Sequence, residues 1–481
     1  MRYKISAIAI LLCIAVQLPA QKLWTLLECV EYARDSSVTV RQTKVQELLS
    51  AVDYKQRQMT RLPTANYSNN FGFSSGRSNN PTTGILENQT FLTFGVNFQT
   101  SVDIFNFYSK RNTILASQWS YEAAKATTEK TRNDISLTVA NGYLQVLLTK
   151  EQEKISEVQL LQSKAQLYNV KKLVAAGSLP ELNAAELEAQ VATDSANLIT
   201  ARGNIEQAYL VLKSYMSMEA DQQIQIDTPS ANQIPLENIA DLQPAAVYAL
   251  ALQNLPQQKA NDFRLLAAQK NVLAARGTMY PSFSLFGNLG SNFVYFRTPI
   301  YQQSISGYSP SGLVIQNGTD FIPVQQPILK QGAQTGYFKP GSFGRQINDN
   351  FGQGVGINLT VPLFNGYSAR SNWERAKLDV STAQLQKIQD NQTVKQDIYQ
   401  AYNSAIVALE KFNASAKSVE AAQRSYDFSL KRFDIGVLGT YELTTNQNNL
   451  LRAKLQYVLN EFDYVFKMKV LEFYKGQGLK L

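Results

Sequence analysis

The chain has 481 residues, 44% hydrophobic and 17% charged, with a mean hydropathy of −0.23. That composition excludes a bundle of membrane-spanning helices and leaves several ordinary domains or one elongated one. Histidine is absent, which removes the commonest general base and metal ligand together, and the formal net charge of +8 is scattered along helical faces, without the clustering of a nucleic-acid footprint.

Residues 1–20 read as a secretory signal peptide: Arg2 and Lys4, the apolar run Ile5–Val16, then Gln17-Leu18-Pro19-Ala20, with cleavage expected after Ala20. A retained anchor is the alternative, although the run is short for a span. Cys13 lies inside it, and Leu12 stands where a lipoprotein signal wants a small residue. Cys29 would then be the only mature cysteine, which leaves no internal disulfide and no cysteine metal cluster.

The mature chain is duplicated. Phe105-Asn106-Phe107-Tyr108-Ser109-Lys110-Arg111 returns 259 residues later as Phe364-Asn365-Gly366-Tyr367-Ser368-Ala369-Arg370, and the same offset pairs Gly95 with Gly354, Tyr143 with Tyr402, Gly177 with Gly436 and Tyr215 with Tyr474. Such a period decides architecture before any single element does. The first repeat covers 21–219, an inter-repeat segment 220–243, the second repeat 244–475 and a tail 476–481.

Within the first repeat a helix precedes two alternating segments, 64–75 and 91–105. In the second of these Leu92, Phe94, Val96, Phe98 and Val102 alternate with Thr93, Gly95, Asn97, Gln99, Ser101 and Asp103. The second repeat supplies 282–291 and 353–364, where Val355, Ile357 and Leu359 alternate with Gly354, Gly356 and Asn358. These runs are longer than the usual soluble strand and match a tilted strand crossing a bilayer. Aromatic residues crowd their ends and the adjoining loop, among them Phe293, Tyr295, Phe296 and Tyr337, as in an interfacial girdle.

Four strands cannot close, because their edges would leave backbone groups unpaired in hydrocarbon. A transmembrane sheet of this size therefore requires a barrel shared between copies, of eight, twelve or sixteen strands. On one strand face Asn97, Gln99, Asp103 and Asn358 are candidates for a polar lumen.

Residues 107–176 then run without proline at helical spacing, as do 366–435. About 70 residues of helix reach roughly 100 Å. Each long helix ends at a glycine suited to a left-handed cap, Gly177 and Gly436, in tips spanning 177–181 and 436–441. The return helices carry stripes expected to be coiled-coil seams: Leu182, Ala185, Ala189, Ala192, Ala196, Ile199 and Gly203 in the first, Leu443, Asn446, Leu450, Ala453 and Tyr457 in the second. Along the first long helix Leu137, Ala140, Leu144 and Leu147, then Ile155, Val158, Gln162 and Ala165, step by threes and fours. A shorter offset of 218 aligns Ala33 with Ala251 and Leu62-Pro63 with Tyr280-Pro281. The surplus lies in 292–350, rich in Gly, Tyr, Gln, Ser and Pro, expected as a long exposed loop. The inter-repeat segment holds a possible short strand, Gln223–Ile226.

Signal, duplication, the run Val361-Pro362-Leu363-Phe364-Asn365-Gly366-Tyr367 and the Gly436-Val437-Leu438 turn together resemble the TolC-like outer-membrane efflux proteins over essentially the whole mature chain. The resemblance implies an α+β membrane protein: a homotrimer whose twelve strands, four per protomer, form one barrel in outer-membrane lipid, continued by an α-helical coiled-coil barrel in the periplasm. It implies no chemistry and no cofactor. It implies passive export of small molecules or polypeptides, received from a proton-driven or ATP-driven inner-membrane pump through a periplasmic adaptor.

The adaptor would dock at the tips, on Lys172, Gly177, Ser178, Arg432, Gly436, Val437 and Leu438. Carboxylates past the inner tip commonly ring the aperture in this family. Here the equivalent positions are Glu442 and Thr445, with Glu186 at the matching offset in the first copy, so the acidic pair is incomplete. A coiled-coil surface protein without a lumen is the competing reading, and a polar strand face argues against it. Nothing in the sequence specifies the cargo.

Overall fold

The computed structural model describes residues 23–79, 86–228 and 234–476. The expected signal peptide, Cys13 and all of the tail but Gly476 lie outside them. The described residues form two compact units, one within 57–112 and 273–373, the other within 23–56, 113–272 and 374–476.

The first of these units contains one antiparallel sheet in the order β2-β3-β5-β8, where β2 is Thr64–Asn79, β3 Leu86–Phe105, β5 Ser282–Phe296 and β8 Gly352–Thr360. Four boundaries extend past the alternating runs, that at Gly352 by a single residue, and one falls short. The polar stretches continue β2 and β3 because pairing uses the backbone, as in Gly76↔Gln89 and Arg77↔Asn88. β8 stops at Thr360, paired with Ser282, and the next residues lead through Pro362, which has no N–H to donate.

Residues paired directly across strands share a face. Tyr67↔Phe98↔Leu289 and Phe71↔Phe94↔Phe293 build an apolar face, continued by Val102↔Leu285↔Ile357. Asn66↔Gln99↔Asn288 and Asp103↔Ser284↔Asn358 build the opposite, polar one. The repeat-related Gly95 and Gly354 fall on the polar face opposite Asn70 and Asn288. A Cβ on Gly95 would collide with the Asn70 amide, and one on Gly354 would lie 2.7 Å from Asn288 Oδ1.

The expected loop 292–350 is not a loop. β5 runs on to Phe296, then β6 (Thr298–Asn317) and β7 (Asp320–Phe338) form a separate hairpin, and α7 (Phe343–Asp349) leads back to β8. Composition disguised this, because Gln, Ser, Tyr and Pro in irregular order break the alternation that marks a strand. Helix α7 packs on β5 through Phe343, whose ring is 5.1 Å from Phe293 and 5.5 Å from Phe94. The Gln346 amide accepts from Val294 N–H and donates to Val294 C=O, both at 3.1 Å, and Asn350 Nδ2 donates to Asn292 C=O at 2.7 Å. Two side-chain amides thus satisfy the β5 backbone that the shorter β8 does not reach.

The helical unit shows the duplication residue by residue. Helix α1 (Leu26–Ser36) and α2 (Val38–Met59) recur 218 residues on as α5 (Pro244–Asn254) and α6 (Pro256–Gly277), broken at the equivalent Ser37 and Leu255. The long helices α3 (Ser109–Ala175) and α8 (Ser368–Asp434) are both 67 residues, related by 259. Return helices α4 (Glu181–Met216) and α9 (Thr440–Phe473) follow. The long helices begin two residues later than expected. Phe107 and Tyr108, and their equivalents Gly366 and Tyr367, have φ values of 47°, 61°, 61° and 67°. That left-handed pair redirects the chain from strand to helix, and Asn106 Oδ1 and Asn365 Oδ1 cap the new helices at Lys110 N–H and Ala369 N–H.

Two larger hydrophobic cores, with two smaller clusters at the tips, hold this unit. Cys29, Ala33, Val139 and Leu212 lie in one, and their repeat equivalents Val247, Ala251, Ile398 and Leu471 lie in the other. In the first core the short strand β1 (Leu23–Trp24) pairs in parallel with β4 (Gln225–Ile226), part of the segment suspected of being a strand. Tyr143 secures that pair by donating to Asp227 C=O at 2.6 Å. Cys29 fills the place of a valine, and burial, helped by Glu28, pushes its thiol up to about 12.

Candidate functional site

The tips are built by one backbone device used twice. Gly177, at φ +73°, donates to Val174 C=O, and Ser178 N–H donates to Leu173 C=O, both at 2.9 Å. Gly436, at φ +76°, donates to Phe433 C=O, and Val437 N–H donates to Arg432 C=O, again at 2.9 Å. This is the Schellman arrangement, and the left-handed residue at its centre favours glycine. Pro180 and Gly439 then occupy the N-cap positions of α4 and α9.

Of the residues expected at the tips, Lys172, Gly177, Ser178, Arg432, Gly436 and Val437 are exposed. Lys172 Nζ sits 4.3 Å from the centre of the Tyr168 ring. Leu438 does not belong with them. It is 7% exposed and packs with Tyr426, Leu443 and Leu450 between α8 and α9. Two residues past the glycine the chain has already turned back, so that side chain anchors the loop from inside. Its equivalent Leu179 packs beside Val170, Ala184 and Leu187, and this shared position was a signal available in the repeat. Sequence reasoning also passed over Ile435 and Tyr441, 73% and 75% exposed, which with Val437 at 63% make the second tip an apolar knob. Alanine and serine flank the first glycine.

Among the aperture candidates, Glu442 and Thr445 are exposed and Glu186 is half-buried. Glu442 stands in the first turn of α9, where the helix dipole favours a carboxylate. Thr445 Oγ1 donates to Tyr441 C=O at 2.7 Å. No hydrogen bond or ion pair among the described residues joins Glu186 to Glu442 or Thr445, so within one chain these positions remain separate.

The small-residue stripe of α4 does not face the chain's own core. Leu182, Ala185, Ala189, Ala192, Ala196, Ile199 and Gly203 are all exposed, and the face turned into the chain is Leu187, Asp194, Leu198, Ala201, Ile205 and Leu212. On α3 the expected stripe splits: Ala140, Leu144 and Leu147 are buried and Leu137 and Ile155 half-buried, while Val158, Gln162 and Ala165 are exposed and Gln159, Leu160, Ser163 and Val170 are buried instead. A helix in a two-layered bundle has two contact faces, and small-residue spacing marks one without saying which partner meets it.

The buried face carries a polar layer between the two hairpins. Ser163 Oγ donates to Asp194 Oδ2 at 2.5 Å, Gln447 Nε2 donates to Ser163 Oγ at 3.1 Å, and Gln190 and Asn448 exchange two amide hydrogen bonds of 3.1 Å. Gln166 Nε2 donates to the Tyr426 hydroxyl at 2.7 Å. Burial raises the Tyr426 hydroxyl, against that hydrogen bond and with help from Asp427 and Asp434. Higher on α9, burial and the neighbouring Glu151 raise the Glu461 carboxyl. Asp194 interrupts an apolar face at one position only, and no periodicity could have marked its partners.

In the sheet unit the four lumen candidates do fall on one face, by the register given above. Asp103 forms a 2.9 Å ion pair with Lys110, which also donates to Thr60 C=O. Among the described residues no helix is long and apolar enough to cross a membrane, and no group of three or more potential metal ligands occurs.

A four-stranded sheet with one apolar face, joined to twin coiled-coil hairpins in a duplicated chain, defines a channel-tunnel class of fold. The chain belongs to the outer membrane efflux protein family, whose profile matches residues 30–217 and 325–471. It is 20% identical over 351 residues to toxin and drug export protein A of Aggregatibacter actinomycetemcomitans, covering 73% of this chain and 65% of that one. It is 22% identical over 376 residues to the outer membrane efflux protein BepC of Brucella suis, covering 77% and 69%. The chain thus spans about two thirds of the length of these relatives. Among solved structures, CusC superposes with a TM-score of 0.73 over 96% of each chain at 15% identity, a likeness of fold.

Proposed function

We propose that this chain is the outer-membrane channel of a tripartite export system. Copies join through the free edges of β2 and β8 into a homotrimeric twelve-stranded barrel, and the helices continue it as a periplasmic tunnel. The observation that carries the reading is the sheet itself. One face is mainly apolar and the other mainly polar, with Phe91, Phe286 and Phe296 the large apolar exceptions on the polar side, and the order β2-β3-β5-β8 runs antiparallel throughout. With four alternating strands, β8 of one copy runs antiparallel to β2 of the next, so a ring closes without a direction conflict. Closure also removes the open edges that hydrocarbon forbids.

In that assembly Asn97, Gln99, Asp103 and Asn358 face the lumen, and the exposed small-residue face of α4 meets a neighbouring copy. The tips receive a periplasmic adaptor, chiefly through Val437 and the adjoining Ile435 and Tyr441, and the inner-membrane pump engages through that adaptor. Glu442 rings the periplasmic aperture, with Thr445 and Glu186 next to it. Passage is passive. The relatives' names, toxin and drug export and outer membrane efflux, support small molecules or polypeptides as cargo. Mass measurement of the detergent-extracted protein tests the assembly. A trimer is expected, and a monomer would overturn the shared barrel.

A further inference from the structure

The β6–β7 hairpin is the largest element without a counterpart in the other repeat, and it stands apart from the four-stranded sheet. Its strands of 20 and 19 residues would each extend roughly 65 Å. A two-stranded ribbon is marginally stable at best in water and needs a surface to lie on. Both of its faces present large apolar side chains to solvent. Ile315 and Ile322 are paired on one face, Ile305 and Leu329 on the other, all at least half exposed, with Leu313 and Phe321 near the turn at 68% and 65%.

Three observations select the occupant. Residues 298–338 carry only two formal charges, Asp320 and Lys330, of opposite sign. Identical hairpins therefore do not repel one another, and an anionic headgroup surface finds almost nothing to bind. Second, the paired strands hold Pro299, Pro310, Pro323 and Pro327. Proline is tolerated within a ladder where its nitrogen faces away from the partner strand, so each of these four interrupts the donors along an outer edge and disfavours an added strand. The exposed faces are the surfaces left for contact. Third, the hairpin springs from the end of β5, where the Phe296 ring is 5.9 Å from Phe338 and Arg297 lies 5.4 Å from the Tyr337 ring. It therefore rises from the same sheet whose free edges call for another copy.

We infer that the β6–β7 hairpins of neighbouring copies pack face to face into an apolar collar around the mouth of the barrel, an inference that rests on the shared-barrel reading. The collar is a contact between copies made by side chains, separate from the strand pairing that closes the wall.

The test places a single cysteine at Leu313 or Phe321 in a Cys29→Ala background and applies a short bis-maleimide to the purified full-length protein. Proximity within one assembly raises the effective thiol concentration, so covalently linked copies should form about fivefold faster than with an exposed control cysteine at Asp349. Adding Ile322→Asp and Ile328→Asp should return cross-linking to the control rate while the detergent-extracted mass remains that of an oligomer. An oligomer whose hairpin cysteines do not cross-link overturns the collar, whether they react freely with a water-soluble maleimide or are shielded by lipid. A monomeric mass overturns the shared barrel itself and is distinguished by that measurement alone.

Discussion

The two repeats use the same backbone to present different chemistry. Helices α3 and α8 have equal length, both begin after a left-handed pair and both end in the same glycine-centred cap. Yet the first tip shows Ala176 and Ser178 beside its glycine, and the second shows Ile435 and Val437. Hydrogen bonding along the backbone fixes geometry and is indifferent to these side chains. The duplicated scaffold is thus kept while the side chains beside the glycine differ, and under the proposed docking these divergent positions give the second tip its apolar contact.

The largest expected effect breaks the symmetry from inside. Leu438→Ala should destabilise the second hairpin by about 3 kcal/mol, the usual loss for a buried leucine. Leu179→Ala, at a half-buried equivalent, should cost about half as much. Hydrogen exchange of the two tips would read both, and equal protection losses would remove the distinction. Next, Ile435→Asp with Val437→Asp should weaken adaptor binding by about thirtyfold, as loss of a 2 kcal/mol apolar contact does. The matched pair Ala176→Asp with Ser178→Asp should change it by less than about threefold. Titration with a purified adaptor is the measurement, and equal losses at both tips would sink the apolar-knob reading.

A smaller effect concerns the two cores, which differ at Cys29 and Val247. Because the thiol is raised from 9.0 to about 12 in the folded chain, its contribution is fully present below pH 9 and is lost as pH rises toward 12. Cys29→Val, copying the second core, should flatten thermal stability between pH 9 and 12 relative to the parent. Tyr143 in the same core is also raised by burial first and by Cys29 next, so the substitution should reduce that tyrosine's shift as well. An unchanged alkaline slope would place the loss elsewhere, for instance at Tyr474, pushed up to about 12.

How much of this was legible in the sequence follows from the kind of interaction involved. Helix lengths, both tips and the two polar–apolar strand faces are local consequences of spacing, glycine and proline, and they could be read along the chain. The β6–β7 hairpin could not, since its prolines and glutamines pair by backbone alone. Nor could the partner of a stripe: Ala189 and Ala192 have the spacing of a close contact, yet both are exposed and the chain's own core took Leu187 and Asp194. Leu438 was misplaced for the same reason, because its neighbours Tyr426 and Leu450 lie on two different helices. Long-range polar partners such as Gln166 and Tyr426, 260 residues apart, leave no local trace.

The smallest effect is expected at the aperture. At the two paired offsets after the tip glycines, the copies hold Asn183 and Glu186 in one and Glu442 and Thr445 in the other, so each hairpin keeps one carboxylate, at alternate positions. Glu442 is exposed at a helix start and Glu186 is half-buried within α4. Three copies of an exposed carboxylate around one axis repel each other and attract a cation, whereas a half-buried one contributes less field to the opening. Glu442→Gln should weaken divalent-cation block of the reconstituted channel by about fivefold, the scale of roughly 1 kcal/mol for close charges in water. Glu186→Gln should leave block nearly unchanged. If instead Glu186→Gln relieved block and Glu442→Gln did not, the first repeat would line the aperture and the assignment of the two hairpins would have to be exchanged.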